Sequence, residues 1–255
     1  MSSVDSFVYA VQRIGGQPLA FAEGDVLGLT GAPLAHALLV RSGLVSIVVE
    51  LSDGARIEAA MIGKNELLGA GCVFGDRNWL YTAIAQSRGT AVRIPRHQLI
   101  AASGADPRIK DAAHKEELWL LAQAQQAAAC NSRHSIEQRL CNWLLRAADA
   151  IGGRELFFTQ EFLSAMLGAQ RATVSQIAAQ LKSNGLLDYR RGRITLTDKT
   201  ALQARACECY EIVRQKYSVI FQETAGQVSL PANPAPPMRE QAANSTTTNP
   251  IDDAR

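Results

Sequence analysis

The groups with the clearest potential chemistry lie between Thr159 and Thr197. Basic residues outnumber acids there, with Arg171, Lys182, Arg190, Arg191 and Arg193 against Glu161 and Asp188. A guanidinium group donates two parallel hydrogen bonds, which match phosphate oxygens and the O6 and N7 atoms of guanine. A glutamine amide such as that of Gln176 pairs in the same way with adenine. This stretch therefore carries groups suited to nucleic acid, although the net charge of the whole chain is only +2.

Two short helices must position these groups, and only Gly168-Ala169-Gln170 separates them. The first is predicted over residues 160–167 and packs through Phe162, Leu163, Met166 and Leu167. The second starts at Arg171, and its apolar residues fall at i, i+3, i+4 and i+7: Val174, Ile177, Ala178 and Leu181. Its other side is small or neutral, with Ala172, Ser175, Gln176, Ala179 and Ser183. We infer that this neutral side presses against another surface.

A basic hairpin is predicted after Asn184-Gly185, in "LLDYRRGRITLTD". Apolar residues alternate on either side of Arg191-Gly192, which places three arginines at the hairpin tip. Helix, tight turn, helix and hairpin in this order are typical of a winged helix-turn-helix. A helix-turn-helix shape also occurs as mere packing, and an arginine-rich turn is often a solvated loop. The combination favours DNA binding, because a major groove about 12 Å wide admits a helix with small side chains.

The residues divide by the DNA group that they would contact. We predict base contacts from Arg171, Ser175 and Gln176 on the second helix. Phosphate contacts are predicted from Gln170, Thr173, Arg190, Arg191 and Arg193, and such contacts position a protein without specifying a sequence.

The rest of the chain divides into a β-rich part and a helical part. Residues 17–100 show strand-like runs between glycine turns, which predicts a barrel or jelly roll; Asp53-Gly54 marks the best hairpin. "GAGCVFG" (69–75) lacks dinucleotide-loop spacing and is predicted to be a turn. From Pro107, one helix is predicted to about Cys130 and a second from Ser135 to Ala150.

The long helix has two interpretations, which the sequence leaves open. It could pack against its twin in a dimer or against its own chain, and its weak apolar stripe fits both: Ile109, Ala113, Leu120, Ala124 and Ala127. A last helix is predicted from Asp198 to about Glu223.

Residues 158–198 resemble the Crp/Fnr family of bacterial transcription regulators. The family pattern falls on Thr159, Gly168, Arg171, Thr173, Val174, Ser175 and Gln176. The resemblance covers roughly residues 17–223 and implies an α+β fold. It implies a cyclic-nucleotide-binding-like β-roll (jelly roll) at 1–104, a dimerisation helix at 105–131, a winged helix-turn-helix at 132–225 and a disordered tail at 226–255.

The resemblance also implies DNA contacts by Thr159 and Ala172 and an altered base preference at Gln176. Thr159 is expected to contact a phosphate. Ala172 stands where many members carry a glutamate that reads cytosine, so it joins the base-contacting set as a contact for a thymine methyl group. Gln176 replaces a common arginine, which moves the expected preference from guanine to adenine.

The family's phosphate-binding elements correspond here to Asn65-Glu66-Leu67 and Tyr81-Thr82, the predicted effector pocket. The arginine that neutralises a cyclic nucleotide's phosphate is missing from the second element. Losing such a buried ion partner costs roughly 3–5 kcal/mol, so cyclic AMP is disfavoured and no cofactor is assigned.

The cysteines suggest neither disulfides nor a metal site. Cys72, Cys130, Cys141, Cys207 and Cys209 show no C-x-x-C spacing, and an iron–sulfur sensor would cluster them near the N-terminus. Cys207 and Cys209 are predicted on one helix, two residues apart, where they face different sides and cannot both bind one ion unless the helix unwinds.

The sequence thus predicts a sequence-specific transcription regulator, dimeric on a near-palindromic operator and controlled by an unidentified signal at the β-roll. The alternative is a ligand-binding β-roll whose helical C-terminal region docks a protein. An enzyme is not expected, because no paired carboxylates, nucleophile–base arrangement or metal-ligand spacing stand out. Expected partners are double-stranded DNA, a second copy of the chain and RNA polymerase. The chain is expected to be cytoplasmic, because it shows no signal peptide or membrane span.

Overall fold

The N-terminal strands form two antiparallel sheets in the computed structural model, which describes residues 14–75 and 77–221. One sheet has the order β1 (Gln17–Phe21), β8 (Gly89–Pro95), β3 (His36–Ser42) and β6 (Leu67–Leu68). The other has the order β2 (Val26–Gly28), β7 (Thr82–Ala85), β4 (Val45–Glu50) and β5 (Arg56–Ile62). Side chains of both sheets, such as Leu39 and Ile62, are fully buried in one core. The predicted jelly roll is confirmed.

The connections within the β-roll follow the turn signals with one exception. Strands β4 and β5 pair across Asp53-Gly54, where Gly54 has a φ of 83° and Asp53 accepts a hydrogen bond from the Ala55 N–H. The stretch 69–75 was predicted to be a turn, and this is wrong. It contains a five-residue helix, α1 (Ala70–Phe74), because buried Cys72 and Val73 need a helical turn to reach the core.

Three helices follow the β-roll: α2 (Arg96–Ala105), α3 (Pro107–Arg133) and α4 (Ile136–Ile151). Their ends have local causes. The Asp106 carboxylate caps α3, and Ser135 forms a reciprocal capping box with Gln138 at the start of α4. Gly152 ends α4 in the left-handed conformation. The two-helix prediction for 107–151 is confirmed.

The apolar stripe predicted on α3 packs mainly against the chain's own β-roll. Ile109 and Ala113 are buried in the β-roll core, and Leu120 packs against it. The opposite side of α3 leaves two leucines in solvent, Leu118 at 41% exposure and Leu121 at 54%. For Ile109, Ala113 and Leu120, the intramolecular interpretation is the correct one.

The C-terminal part contains a three-stranded sheet and four helices among the described residues. Its strands are β9 (Glu155–Phe157), β10 (Leu187–Arg190) and β11 (Arg193–Leu196), in the order β10-β11-β9. Its helices are α5 (Gln160–Leu167), α6 (Arg171–Ser183), α7 (Lys199–Arg205) and α8 (Cys209–Phe221). The hairpin of β10 and β11 was predicted, whereas β9 was not.

The prediction of one helix from Asp198 to about Glu223 is wrong. Asp198 does cap a helix by accepting a hydrogen bond from the Ala201 N–H, but α7 ends at Arg205 and α8 begins at Cys209. No glycine or proline stands at the break, so its cause is tertiary. Cys207 and Cys209 are both buried. On one straight helix, two residues at this spacing would point to different sides and could not both be buried against the same surface.

Polar contacts join the β-roll to the helices that follow. The Gln123 amide of α3 exchanges two hydrogen bonds with the Met61 backbone, each 3.0 Å long. Trp143 of α4 donates a 3.0 Å hydrogen bond to the buried Glu58 carboxylate of β5. These contacts link the β-roll to α3 and to α4, the helix that supports α5 and α6.

No helix among the described residues is long and apolar enough to cross a membrane. The domain boundaries stay predictions, and the expected tail at 226–255 lies outside the described residues.

Candidate nucleic-acid interface

Local interactions fix the angle between α5 and α6. Thr159 caps α5 by accepting a 3.1 Å hydrogen bond from the Phe162 N–H. Gly168 then ends α5 with a φ of 56°, a conformation that favours glycine. Phe158 and Phe162 stack at 5.0 Å, and both pack edge-on against Trp143 of α4. The pair of helices therefore stands on a rigid aromatic support.

Helix α6 buries one side and exposes the other, as its sequence predicts. Val174, Ala178 and Leu181 are buried, and Ile177 is partly buried. The exposed positions form a continuous side of the helix: Arg171, Ala172, Gln176, Ala179, Gln180, Lys182 and Ser183. This side is charged only at its two ends, by Arg171 in the first turn and Lys182 in the last, so a surface such as a groove edge can approach the uncharged stretch between them closely.

The predicted base-contacting residues are not equally available. Arg171 is exposed, and its guanidinium lies 3.8 Å from the Glu161 carboxylate of α5. Ala172 and Gln176 are exposed on the same helix. Ser175 is half-buried, and its hydroxyl donates a 2.6 Å hydrogen bond to the Gln160 side chain. Ser175 thus joins α6 to α5 in this structure.

Predicted phosphate contacts lie at the helix start and at the rim of α5. Gln170 is exposed at the N-terminal boundary of α6, where free backbone N–H groups favour anions. Thr173 is half-buried in the first turn of α6. The Thr159 oxygen accepts the capping bond, and its hydroxyl proton can still be donated to a phosphate.

The three wing arginines differ in their partners. Arg191 and Gly192 form the hairpin tip with φ values of 47° and 82°. Arg190 lies 3.1 Å from Asp188, and Arg193 forms an ion pair with Glu155 of β9. Arg191 makes no ion pair within the described part of the chain, so it is the wing arginine most free to meet a phosphate.

Lys182 and Glu161 are contributors that the sequence analysis counted only as charges, and Glu155 is one that it did not name. Lys182 of α6 lies 2.8 Å from Asp188 and donates a hydrogen bond to the Tyr189 carbonyl, which ties the second helix to the wing. The Lys182 ammonium also holds the pKa of the Asp188 carboxyl below its ordinary value. Pairing between residues on different elements has no local signal in the sequence.

Three of the predicted effector-pocket residues, Glu66, Tyr81 and Thr82, form hydrogen bonds with protein groups. The buried Glu66 carboxylate accepts hydrogen bonds from the Gly63 N–H at 2.7 Å and from the Trp119 indole at 3.2 Å. Burial raises the pKa of Glu66 to about 7. Tyr81 accepts a bond from the Gly69 N–H, and Thr82 bonds to Thr30.

The two remaining pocket residues lie beside Glu66. Leu67 is buried and pairs with Leu39 in the sheet. Asn65 has a φ of 69°, and its buried Oδ1 has no hydrogen-bond partner among the described residues. The assignment of these five residues to an effector pocket stays a prediction.

A separate cavity of about 400 Å³ opens elsewhere on the β-roll. Its lining includes Phe21, His36, Trp79 and Arg93, and none of the predicted pocket residues. Burial lowers the pKa of His36, with Arg93 adding to the effect.

Comparisons with known proteins match both halves of the chain. Residues 18–104 match the cyclic nucleotide-binding domain, and residues 138–205 match the Crp-like helix-turn-helix domain. The nitrogen fixation regulation protein FixK of Azorhizobium caulinodans is 27% identical over 198 residues, which cover 74% of this chain and 78% of that protein.

Solved structures show the same fold. FixK2 from Bradyrhizobium japonicum aligns with a TM-score of 0.66 at 19% identity, covering 76% of this chain and 98% of that chain. A CRP-family transcriptional regulator from Thermus thermophilus aligns with a TM-score of 0.62 at 22% identity, covering 74% and 96%. With its β-roll, its long helix and its winged helix-turn-helix, the chain belongs to the Crp/Fnr family and is a transcription regulator with a DNA-binding domain and an N-terminal sensing domain.

Proposed function

We propose that the chain regulates transcription as a homodimer that reads a near-palindromic operator through α6. The observation that carries this proposal is the exposed side of α6, which is uncharged between Arg171 in its first turn and Lys182 in its last, and which lies beside the basic wing. Arg171, Ala172, Gln176 and, with a smaller share, Ser175 contact bases. Thr159, Gln170, Thr173 and the wing arginines Arg190, Arg191 and Arg193 contact phosphates.

The exposed side of α3 supports the dimer. Its outward positions recur at intervals of three and four residues: Leu118, Leu121, Gln125, Ala128 and Ser132. This spacing is the one by which two helices pack side by side in a coiled coil, with small residues allowing close approach. A two-fold dimer on this helix places the two α6 helices one DNA turn apart, about 34–36 Å, on half-sites of one operator.

The β-roll receives the regulatory signal. Cyclic AMP is disfavoured, because Tyr81 stands where a phosphate-binding arginine is needed and Glu66 already accepts two protein hydrogen bonds. The proposed role involves no catalysis. The protein works where bacterial DNA lies, in the cytoplasm, and RNA polymerase is its proposed partner at promoters.

Selection from a randomised duplex pool by the purified full chain, at two salt concentrations, tests the proposal. We expect enrichment of a two-fold symmetric site, and log K falling by about 0.9 per phosphate contact for each unit of log salt. An enriched site without two-fold symmetry would contradict the dimer. Affinity for duplex DNA that does not change with salt would contradict DNA binding and favour docking to a protein.

A further inference from the structure

Four potential metal ligands meet where the end of α3 contacts the start of α8. They are Cys130, His134, Cys207 and Cys209, and their ligand atoms all lie within 4.8 Å of one another. The three cysteines are at most 5% exposed, and the His134 side chain is 16% exposed. The proposed DNA-binding surface uses none of these residues.

The closest distances within the cluster match those in a tetrahedral site. The Cys130 and Cys207 Sγ atoms lie 3.5 Å apart, and the Cys209 Sγ lies 3.5 Å from His134 Nδ1. In a tetrahedral zinc site with Zn–S bonds of about 2.3 Å and a Zn–N bond of about 2.0 Å, neighbouring ligand atoms are about 3.5–3.8 Å apart. The ligand atoms therefore need to move little to surround one ion.

The surrounding groups prepare the ligands for a cation. His134 Nε2 lies 3.2 Å from the Glu208 carboxylate, and donation of the Nε2 proton leaves the Nδ1 lone pair directed at the cluster. A carboxylate behind a ligating histidine in this way recurs in zinc sites. The Gln126 amide donates a 3.1 Å hydrogen bond to the Cys209 sulfur, and the Asn142 amide lies 3.8 Å from the Cys130 sulfur. Both can stabilise thiolate charge.

The fold explains why these residues converge. Cys130 and His134 are four residues apart at the end of α3, so they lie on one side of that helix. The break at Ala206–Glu208 lets Cys207 and Cys209 approach the same point, which a continuous helix would prevent. The break between α7 and α8 therefore brings the two cysteines together, and the sequence at the break does not predict this.

We propose that Cys130, His134, Cys207 and Cys209 form a tetrahedral binding site for a zinc ion. Three thiolates and one imidazole are a ligand set of structural zinc sites. An iron–sulfur cluster distributes its cysteine ligands over several iron atoms and needs wider separations than these. Mg²⁺ and Ca²⁺ prefer oxygen ligands.

The ion would join the long helix of the sensing half to α8 in the DNA-binding half. Cys130 belongs to α3 and His134 directly follows its last residue, whereas Cys207 precedes α8 and Cys209 begins it. Among the described residues, α3 and α8 also meet at a second place: Trp119 in the middle of α3 contacts Tyr217 and Phe221 near the C-terminal end of α8. This consequence rests on the proposed function: the metal holds α8 on α3 and so limits the positions that α6 can take.

Cobalt titration of the reduced, chelator-treated full chain tests the site, because tetrahedral thiolate-bound Co²⁺ has intense visible absorption bands. We expect these bands to saturate at one Co²⁺ per chain and to disappear on addition of Zn²⁺. Cys130→Ala and Cys209→Ala should abolish them, whereas Cys72→Ala, which removes a buried cysteine outside the cluster, should leave them unchanged.

A variant at an exposed position tests the site even if the cysteine variants fail to fold. Glu208 is 67% exposed, and Glu208→Gln should weaken metal binding by about 10–100-fold while circular dichroism stays unchanged. Glu211→Gln, on the same helix and 47% exposed, is the matched control and should bind with unchanged affinity. Zinc should raise the Tm of the wild type and not that of Cys130→Ala.

Any one of three results would overturn the proposal. The first is the absence of cobalt–thiolate bands in the reduced wild type, and the second is their persistence in Cys130→Ala. The third is a Cys130–Cys207 disulfide in protein purified without added oxidant. Neither readout involves DNA. Failure of the metal site in a protein that binds DNA can therefore be distinguished from failure of DNA binding in a protein that binds the metal.

Discussion

Residues of one type serve different purposes at the DNA-binding surface. Among the wing arginines, Arg193 is paired with Glu155 and Arg190 with Asp188, whereas Arg191 stands at the tip with a positive φ. An exposed ion pair contributes little to stability, about 0–1 kcal/mol, but it neutralises a charge that DNA would otherwise meet. Charge counts along a sequence therefore overestimate the positive charge available to phosphates.

Arg171 should determine the identity of one base pair in each half-site. We expect Arg171→Ala to cost about 1–3 kcal/mol of operator affinity and to relax the preference at one position, since a bidentate contact to guanine is lost. Repeating the duplex selection with the variant measures this. An unchanged half-site preference would show that the assigned side of α6 is wrong.

Arg191 should contribute to affinity without contributing to specificity. Arg191→Ala should weaken binding to all sequences alike and reduce the salt slope by about one. Arg193→Ala should change the slope less, because Glu155 already neutralises part of the Arg193 charge in the free protein. Fluorescence anisotropy over a salt series compares the two variants, and equal slopes would contradict this difference.

The elements that the sequence predicts well are those with local causes. Ser135 and Gln138 start α4, Gly152 ends it, and Arg191-Gly192 turns the wing hairpin, each through atoms only a few residues away. Strand β9 has three residues and forms only because β11 lies beside it. The break between α7 and α8 similarly depends on tertiary contacts of Cys207 and Cys209.

Close packing between β5 and α4 gives a prediction at the element scale. A Cβ atom at Gly63 would lie 2.8 Å from the Ala150 Cβ and backbone oxygen, so the strand end and the helix would have to separate. We expect Gly63→Ala to lower the free energy of unfolding by about 1–3 kcal/mol in urea denaturation. Gly104→Ala is the control: it lies in α2 with open space around it, and it should be neutral or slightly stabilising. Equal stabilities of the two variants would contradict the contact.

The buried Glu58 should make stability depend on pH. Burial raises the pKa of Glu58 from 4.5 to about 7, against the opposing effect of Arg146. Above pH 4.5 the unfolded chain loses this proton while the folded chain keeps it. The free energy of unfolding therefore falls as the pH rises from about 4.5 to 7. Glu58→Gln should reduce the slope of the free energy of unfolding against pH by the contribution of about one proton. Glu50→Gln, at an exposed site, should leave that slope unchanged. Denaturation at several pH values measures both slopes.

At the scale of the whole molecule, the sequence indicates the architecture but not the contacts between residues that are far apart in the chain. The order of β-roll, long helix and winged helix-turn-helix follows from patterns within short windows. Cys130 and Cys207 are 77 residues apart, and no spacing rule connects them. The stripe on α3 was detected, but its partner was not, because Ile109 and Ala113 suit a β-roll core as well as a second helix.

The exposed side of α3 should hold the dimer together. Leu121→Glu introduces a charge at a position that is 54% exposed in a single chain, so the fold of each chain should survive. We expect the variant to sediment as a monomer and to lose high-affinity operator binding. Leu80→Glu, at a leucine that is 69% exposed on the β-roll, should stay dimeric. A dimeric Leu121→Glu variant would place the interface elsewhere.

The length of α3 has a mechanical consequence. Its 27 residues extend about 40 Å, from the β-roll to the residues that contact α8. A lever of this length converts a tilt of roughly 5° at one end into a displacement of about 3.5 Å at the other. That displacement is about the 3.4 Å rise between successive base pairs. A tilt of α3 by a few degrees at the β-roll therefore displaces the end that contacts α8 by about one base-pair step of the double helix.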